Sequence, residues 1–81
     1  MTIERNALRV AVVFGPDNMV RPVWFELNLR KHEVRETTYR WESCLGNAPL
    51  LHYAVSDGEA LYELVYNTKS QSWSIDLQEA V

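Results

Sequence analysis

The sequence predicts an all-β fold: an antiparallel meander of about six strands curled into a small, partly open barrel, SH3-like or OB-like. Three observations predict it. Short apolar runs of strand length alternate with turn signals along the whole chain. Two hairpin turns, read independently, place the same residues on one face. No segment carries sustained three- and four-residue spacing, and the best helical candidates, Thr2–Ala7 and Ile75–Ala80, are too short to be stable alone. Curling such a sheet also removes its exposed edges.

The first strand is expected over Leu8–Phe14, with Leu8, Val10, Val12 and Phe14 on one face, and Gly15-Pro16-Asp17-Asn18 ends it. The second covers Val20–Leu27. Alternation puts Val23, Phe25 and Leu27 on one side and Trp24 and Glu26 on the other. Pro22 cannot donate a ladder hydrogen bond, so this strand is expected to begin at an edge. The third runs from His32 to Glu42 with broken parity: Val34 falls on one face, Tyr39 and Trp41 on the other. One extra residue near Glu36-Thr37 reconciles them, which predicts a β-bulge or sharp bend. Ser43–Pro49 is expected to be a loop.

The last half is more constrained. Ser56-Asp57-Gly58-Glu59 reads as a two-residue type I′ hairpin. It sets Val55 opposite Ala60, Tyr53 opposite Tyr62, and Leu51 opposite Leu64. On the reverse face His52 meets Glu63 and Ala54 meets Leu61. A four-residue loop at Thr68–Gln71 sets Tyr66 against Trp73, Leu64 against Ile75, and Tyr62 against Leu77. The two registers agree on one core face. They also set Glu63 against Asp76, a like-charge contact.

At 81 residues and 9.4 kDa the chain is expected to form a single domain over 1–81. The composition, 47% hydrophobic and 23% charged, excludes a disordered or fibrous chain. The single cysteine, Cys44, excludes an intramolecular disulfide framework and a Cys-based zinc site, and points to a reducing compartment. The longest apolar run, Val10–Phe14, is far short of a membrane helix, and no cleavage site follows the N-terminal segment. A cytoplasmic protein that makes no membrane contact is expected. The net charge of −3 is uneven: residues 1–42 hold seven Lys/Arg against six Asp/Glu, and residues 43–81 hold Lys69 against five Asp/Glu. The overall acidity does not exclude a basic patch on the first half.

Arg21, Pro22, Phe25, Arg30, Val34 and Trp41 fit the pattern R-P-x-x-F-x-W-x-G-R-x-Y-x-V followed by a later Trp. On these residues the segment Arg21–Trp41 resembles a family of small bacterial domains of unknown function. Leu27 stands where that pattern has Trp, Leu29 where it has Gly, and His32 where it has Tyr. The resemblance implies a small β domain and no assigned activity. The family's Gly suits a tight turn with positive φ. Asn28-Leu29 as that turn strains Leu29, and a wider loop over Arg30–Glu33 is the alternative. Either register leaves Val34 on the Phe25 face.

No catalytic or cofactor constellation emerges. His32-Glu33 is not the start of H-E-x-x-H, because position 36 is Glu36. No two of His32, His52, Cys44 and Glu33 share a spacing that places them on one strand face, so no metal site is expected. His52, Ser56 and Asp57 are close in sequence, but Ser56 and Asp57 belong to the hairpin turn. Gly15, Gly46 and Gly58 are isolated turn glycines, without a phosphate-binding loop. An enzyme is not expected, nor a cofactor. The feature above background is basic and aromatic: Arg21, Trp24, Arg30, Lys31, His32, Arg35, Tyr39, Arg40 and Trp41 crowd together, with Glu26, Glu33, Glu36 and Glu42 between them. The reading is a protein-interaction or assembly module, binding a protein partner or a second copy through its second and third strands. Trp24 is the expected anchor, and Arg30, Arg35 and Arg40 are the orienting charges. The alternative is a small barrel binding nucleic acid on an Arg/Trp face.

Overall fold

The computed structural model describes residues 8–16 and 19–80. It contains seven strands: β1 (Arg9–Phe14), β2 (Val20–Leu27), β3 (Arg30–Glu33), β4 (Glu36–Leu45), β5 (Ala48–Ser56), β6 (Ala60–Asn67) and β7 (Ser72–Ala80). They form two antiparallel sheets, β1-β2-β3 and β4-β5-β6-β7. The fold is all-β, but it is neither a single meander nor a closed barrel. Ile75–Ala80 lies within β7, and Thr2–Ala7 lies outside the described residues.

The division has a local cause. The expected third strand splits at Val34-Arg35. The Val34 N–H donates to the Val23 carbonyl of β2 (3.0 Å), whereas the Arg35 N–H donates to the Ser56 carbonyl of β5 (2.8 Å). Consecutive residues therefore bond to different sheets. A second irregularity lies between Thr37 and Tyr39. Two shifts occur where one was expected, and the second undoes the first. Arg40, opposite Tyr53, consequently faces inward, while Trp41, opposite His52, faces outward beside Tyr39.

The expected loop at Ser43–Pro49 is instead the tip of a hairpin. β4 continues to Leu45, Gly46-Asn47 turns the chain with Gly46 at φ 63°, and Leu45 faces Ala48. A Gly-Asn pair is a two-residue hairpin signal. Asn28-Leu29 forms the tight turn, with φ of 54° and 66° and Leu27 opposite Arg30. Leu29 is 93% exposed and carries the left-handed backbone strain that glycine would avoid.

The β5–β6 register differs from expectation by two residues: Val55 faces Tyr62, Tyr53 faces Leu64, and Leu51 faces Tyr66. The loop is wider because side chains hold it. Asp57 Oδ1 accepts the N–H groups of Glu59 (2.8 Å) and Ala60 (2.9 Å), and Ser56 Oγ accepts that of Gly58 (3.0 Å). A slip of two preserves every side chain's face. In β6–β7, Tyr66 faces Trp73 and Leu64 faces Ile75, as expected. Past Leu64 the register shifts, so Tyr62 faces Gln78 and Glu63 faces Leu77. The shift leaves exposed Asp76 out of register and removes the like-charge opposition to Glu63.

Between the sheets lies a core of Phe25 from β2 with Tyr53, Val55, Tyr62 and Leu64 from β5 and β6. Leu8, Val10, Leu27, Val34, Leu51, Ala60, Trp73 and Ile75 pack around it. Each large buried side chain contributes roughly 1.5–3 kcal/mol. Val23 is the extra residue of a bulge, because Trp24 faces Ala11 while Pro22 faces Val12. The bulge carries Pro22 into full burial, in the stretch of β2 that has no registered β3 partner.

Candidate functional site

β3 is only four residues long, and its register with β2 stops at Trp24–Glu33. Val20, Arg21 and Pro22 of β2 therefore pair only with β1 among the described strands. Here a cleft of about 480 Å³ opens between the sheets. Val13, Phe14, Pro16 and Met19 of the β1–β2 hairpin form one wall with Arg21; Thr37, Arg40 and Tyr53 form the other. The Gly15 N–H donates to the Met19 carbonyl (2.7 Å) and holds the hairpin end in place. Alternation keeps Phe14 on the inward side with Val10 and Val12, but among the described residues no strand covers it and it is 73% exposed.

The polar atoms of the second wall are under-bonded. The Arg40 guanidinium lies 5.6 Å from the Tyr53 ring centroid. Its Nη2 is 3.6 Å from Glu42 Oε2, too long for a hydrogen bond. Arg40 Nε and Tyr53 Oη are both sealed from solvent, with no partner among the described residues. An unmet buried polar group costs about 1–3 kcal/mol, so this wall is held at a cost. Arg21 is exposed, and among the described residues no carboxylate pairs with it.

Of the four residues expected to form the contact surface, only Arg40 reaches this cleft. Trp24 is half-buried, and its cationic neighbour is Lys31, whose Nζ lies 5.0 Å from the ring centroid, rather than Arg30. Arg30 is exposed at the start of β3. Arg35 is exposed at the bend, its side chain 3.4 Å from where a Cβ on Gly58 would stand. The four do not form one patch. Phe14, Met19 and Tyr53 line the cleft without standing among the residues expected at a contact surface, although Val13-Phe14-Gly15-Pro16, an apolar pair running into a turn, is a readable signal.

Two histidine networks lie outside the cleft. His32 stacks on Phe25 at 5.1 Å between centroids and donates from Nδ1 to Asp57 Oδ2 (2.9 Å), tying β3 to the β5–β6 loop. The Tyr62 hydroxyl donates to the same oxygen (3.3 Å). Burial pushes the Asp57 carboxyl up, but the hydrogen bonds from His32, the Glu59 and Ala60 amides and Tyr62 outweigh it and hold the pKa at about 2. Burial, followed by the Asp57 charge, pushes Tyr62 up.

On the outer face of the second sheet, His52 Nδ1 donates to Glu63 Oε2 (2.8 Å), and Nε2 pairs with Ser43 Oγ (2.7 Å). Trp41 stacks on the ring at 4.8 Å. The contact with Glu63 was expected, although His52 is registered to Val65 and reaches Glu63 diagonally. Ser–His–Glu is the order of an acyl-transfer relay. Here, however, Ser43 is exposed on the face opposite the cleft, and what the row accomplishes is to satisfy both nitrogens of a buried imidazole.

Cys44 is an exposed thiol on β4 rather than in a loop. Among the described residues no group of three His, Cys, Asp or Glu is placed to hold a metal ion, and no helix is long and apolar enough to cross a membrane. Comparison with known protein families, curated proteins and solved structures finds no match, so the resemblance carried by Arg21–Trp41 rests on its residues alone.

Proposed function

We propose that this chain is a protein-interaction module that works by contact, through the cleft between the start of β2 and the middle of β4. These two segments belong to the second and third strands singled out from sequence. One observation carries the reading: an apolar cleft of about 480 Å³ sits beside two arginines, with Phe14 exposed at its rim. Exposed aromatic and apolar side chains next to arginine have the makeup of an interface centre. Trp24, Arg30 and Arg35 then lie outside the contact, and Arg40 is the residue of that set that serves it.

The test is a titration of ¹⁵N-labelled protein with a pooled library of pentapeptides bearing free C-termini. Binding should shift the amides of Phe14, Met19, Arg21, Thr37 and Arg40, and Phe14→Asp should abolish the shifts. No shift at millimolar peptide sinks the reading. Size-exclusion chromatography distinguishes self-association from capture of another chain. Binding of an oligonucleotide at low salt that weakens steeply with added salt would favour the nucleic-acid alternative instead.

A further inference from the structure

Among the described residues each sheet ends in two edge strands: β1 and β3 in the first, β4 and β7 in the second. An unpaired edge offers a row of N–H and C=O groups to another strand, and bulges, shortness and lysines blunt it. β1 has six residues, and β3 has four, one of them Lys31. β7 is bulged at Asp76, which falls between Ile75 opposite Leu64 and Leu77 opposite Glu63. β4 is the longest strand, with ten residues, seven of them exposed and none a lysine, proline or glycine. From Tyr39 to Leu45 its register with β5 is unbroken.

The direction of its backbone groups follows from β5. The Ser56 carbonyl bonds towards the β4 side, to Arg35, and the Pro49 carbonyl bonds towards the β6 side, to Thr68. Alternation then turns Ala48, Leu50, His52 and Ala54 towards β4, and commits the residues opposite them, Leu45, Ser43, Trp41 and Tyr39, to the β5 ladder. The N–H and C=O groups of Arg40, Glu42 and Cys44 therefore point away from β5, and among the described residues no backbone bond reaches them.

We propose that this edge pairs antiparallel with the same edge of a second copy, across a two-fold axis at Trp41. The proposal goes beyond the cleft reading and does not rest on it. Outward groups must meet outward groups, so the axis falls on a residue rather than between two. An axis at Arg40 sets two arginines directly opposite, and one at Glu42 sets two glutamates opposite. An axis at Ser43 leaves Arg40 facing Gly46, beyond the end of the strand. An axis at Trp41 sets Arg40 opposite the partner's Glu42, and by symmetry does so twice. Opposite charges facing across a seam stabilise it, and like charges destabilise it. Within one chain Arg40 and Glu42 are 3.6 Å apart, so across the seam four charges alternate in sign. On the outer face Trp41, stacked against Tyr39 and His52, meets the partner's Trp41 in the closer, non-hydrogen-bonded kind of pair. The two four-stranded sheets thereby become one continuous sheet, and the edge disappears.

The experiment is sedimentation equilibrium of the full chain up to millimolar concentration. The parent is expected to reach twice its 9.4 kDa mass and stop there. Arg40→Glu and Glu42→Arg each set like charges opposite at both places and should weaken association about tenfold. An equimolar mixture of the two variants should recover it, because every facing pair is then opposite in charge. Neither variant keeps the Arg40–Glu42 contact within its own chain, so recovery reports the seam alone. Glu42→Pro removes an outward N–H and nothing from the β5 ladder, so it should stay folded and monomeric. It decides the matter if Arg40→Glu fails to fold. A parent that stays monomeric, a dimer that persists in Glu42→Pro, or a mixture that does not recover overturns the seam and leaves the cleft reading in place. Growth beyond a dimer overturns the two-fold, because β4 pairing with a different edge does not close.

Discussion

The two sheets meet at two contrasting places. At one, Phe25, His32, Asp57 and Tyr62 bring together stacked rings and a carboxylate that accepts from His32, Tyr62 and two amides. At the other, Tyr53 and Arg40 again bring together a ring and a charge, but Oη and Nε have no partner among the described residues. Both are aromatic and charged, and both are largely buried. Their bonding differs. A fully paired network contributes to stability and leaves nothing to offer a ligand. A wall with unmet donors detracts from stability and gains when something binds.

The largest expected effect breaks the paired place. Asp57→Ala removes four accepted hydrogen bonds and strands His32 and Tyr62 next to the core. It should cost about 3 kcal/mol in urea unfolding. A loss under 1 kcal/mol would mean that the paired network does not join the sheets. Acid should reach the same site more gently. The Asp57 pKa is about 2 when folded against 3.8 ordinarily, so its contribution is present above pH 3.8 and is lost as pH falls through 3.8 towards 2. With the side chain 9% exposed, solvent screens little of this, and about 2 kcal/mol should disappear across that window. Asp57→Asn should flatten the acid limb of the stability curve.

The smallest effect is the sharpest comparison, because the same atom is deleted at both places. Tyr62→Phe removes a hydroxyl that donates to a carboxylate and should destabilise by about 1 kcal/mol. Tyr53→Phe removes a hydroxyl with no partner, and stability should stay within about 0.5 kcal/mol of the parent or rise. Equal losses at the two tyrosines would erase the distinction between paired and unpaired places.

The core was readable because strand alternation is robust. Leu64 and Ile75 face each other as expected, and the two-residue slip at the β5–β6 loop left Tyr53, Val55 and Tyr62 on their expected face. The Glu63–Asp76 conflict was also visible in sequence, and the register shift past Leu64 resolves it. The hairpin at Gly46-Asn47 is legible in its turn residues, although the expectation there is a loop. The cleft was hardly legible. Arg40 is among the residues expected at a contact surface, but Phe14 and Tyr53, which line the cleft with it, stand 26 positions before and 13 after it in sequence.

By itself, then, the sequence determined what local chemistry and a period of two can determine: an all-β chain, most of its strand spans, and the shared face of Tyr53, Val55, Tyr62 and Leu64. These depend on neighbours one or two positions away, and Asp57, Gly58 and the alternating hydrophobics carry that information directly. Only the tertiary structure decided that the chain makes two sheets, because the split turns on whether Val34 and Arg35 bond to β2 or to β5. It alone decided which polar atoms remain unpaired. A hydrogen bond's absence at Tyr53 Oη depends on every group that packs around it, and those groups come from strands far apart in the chain.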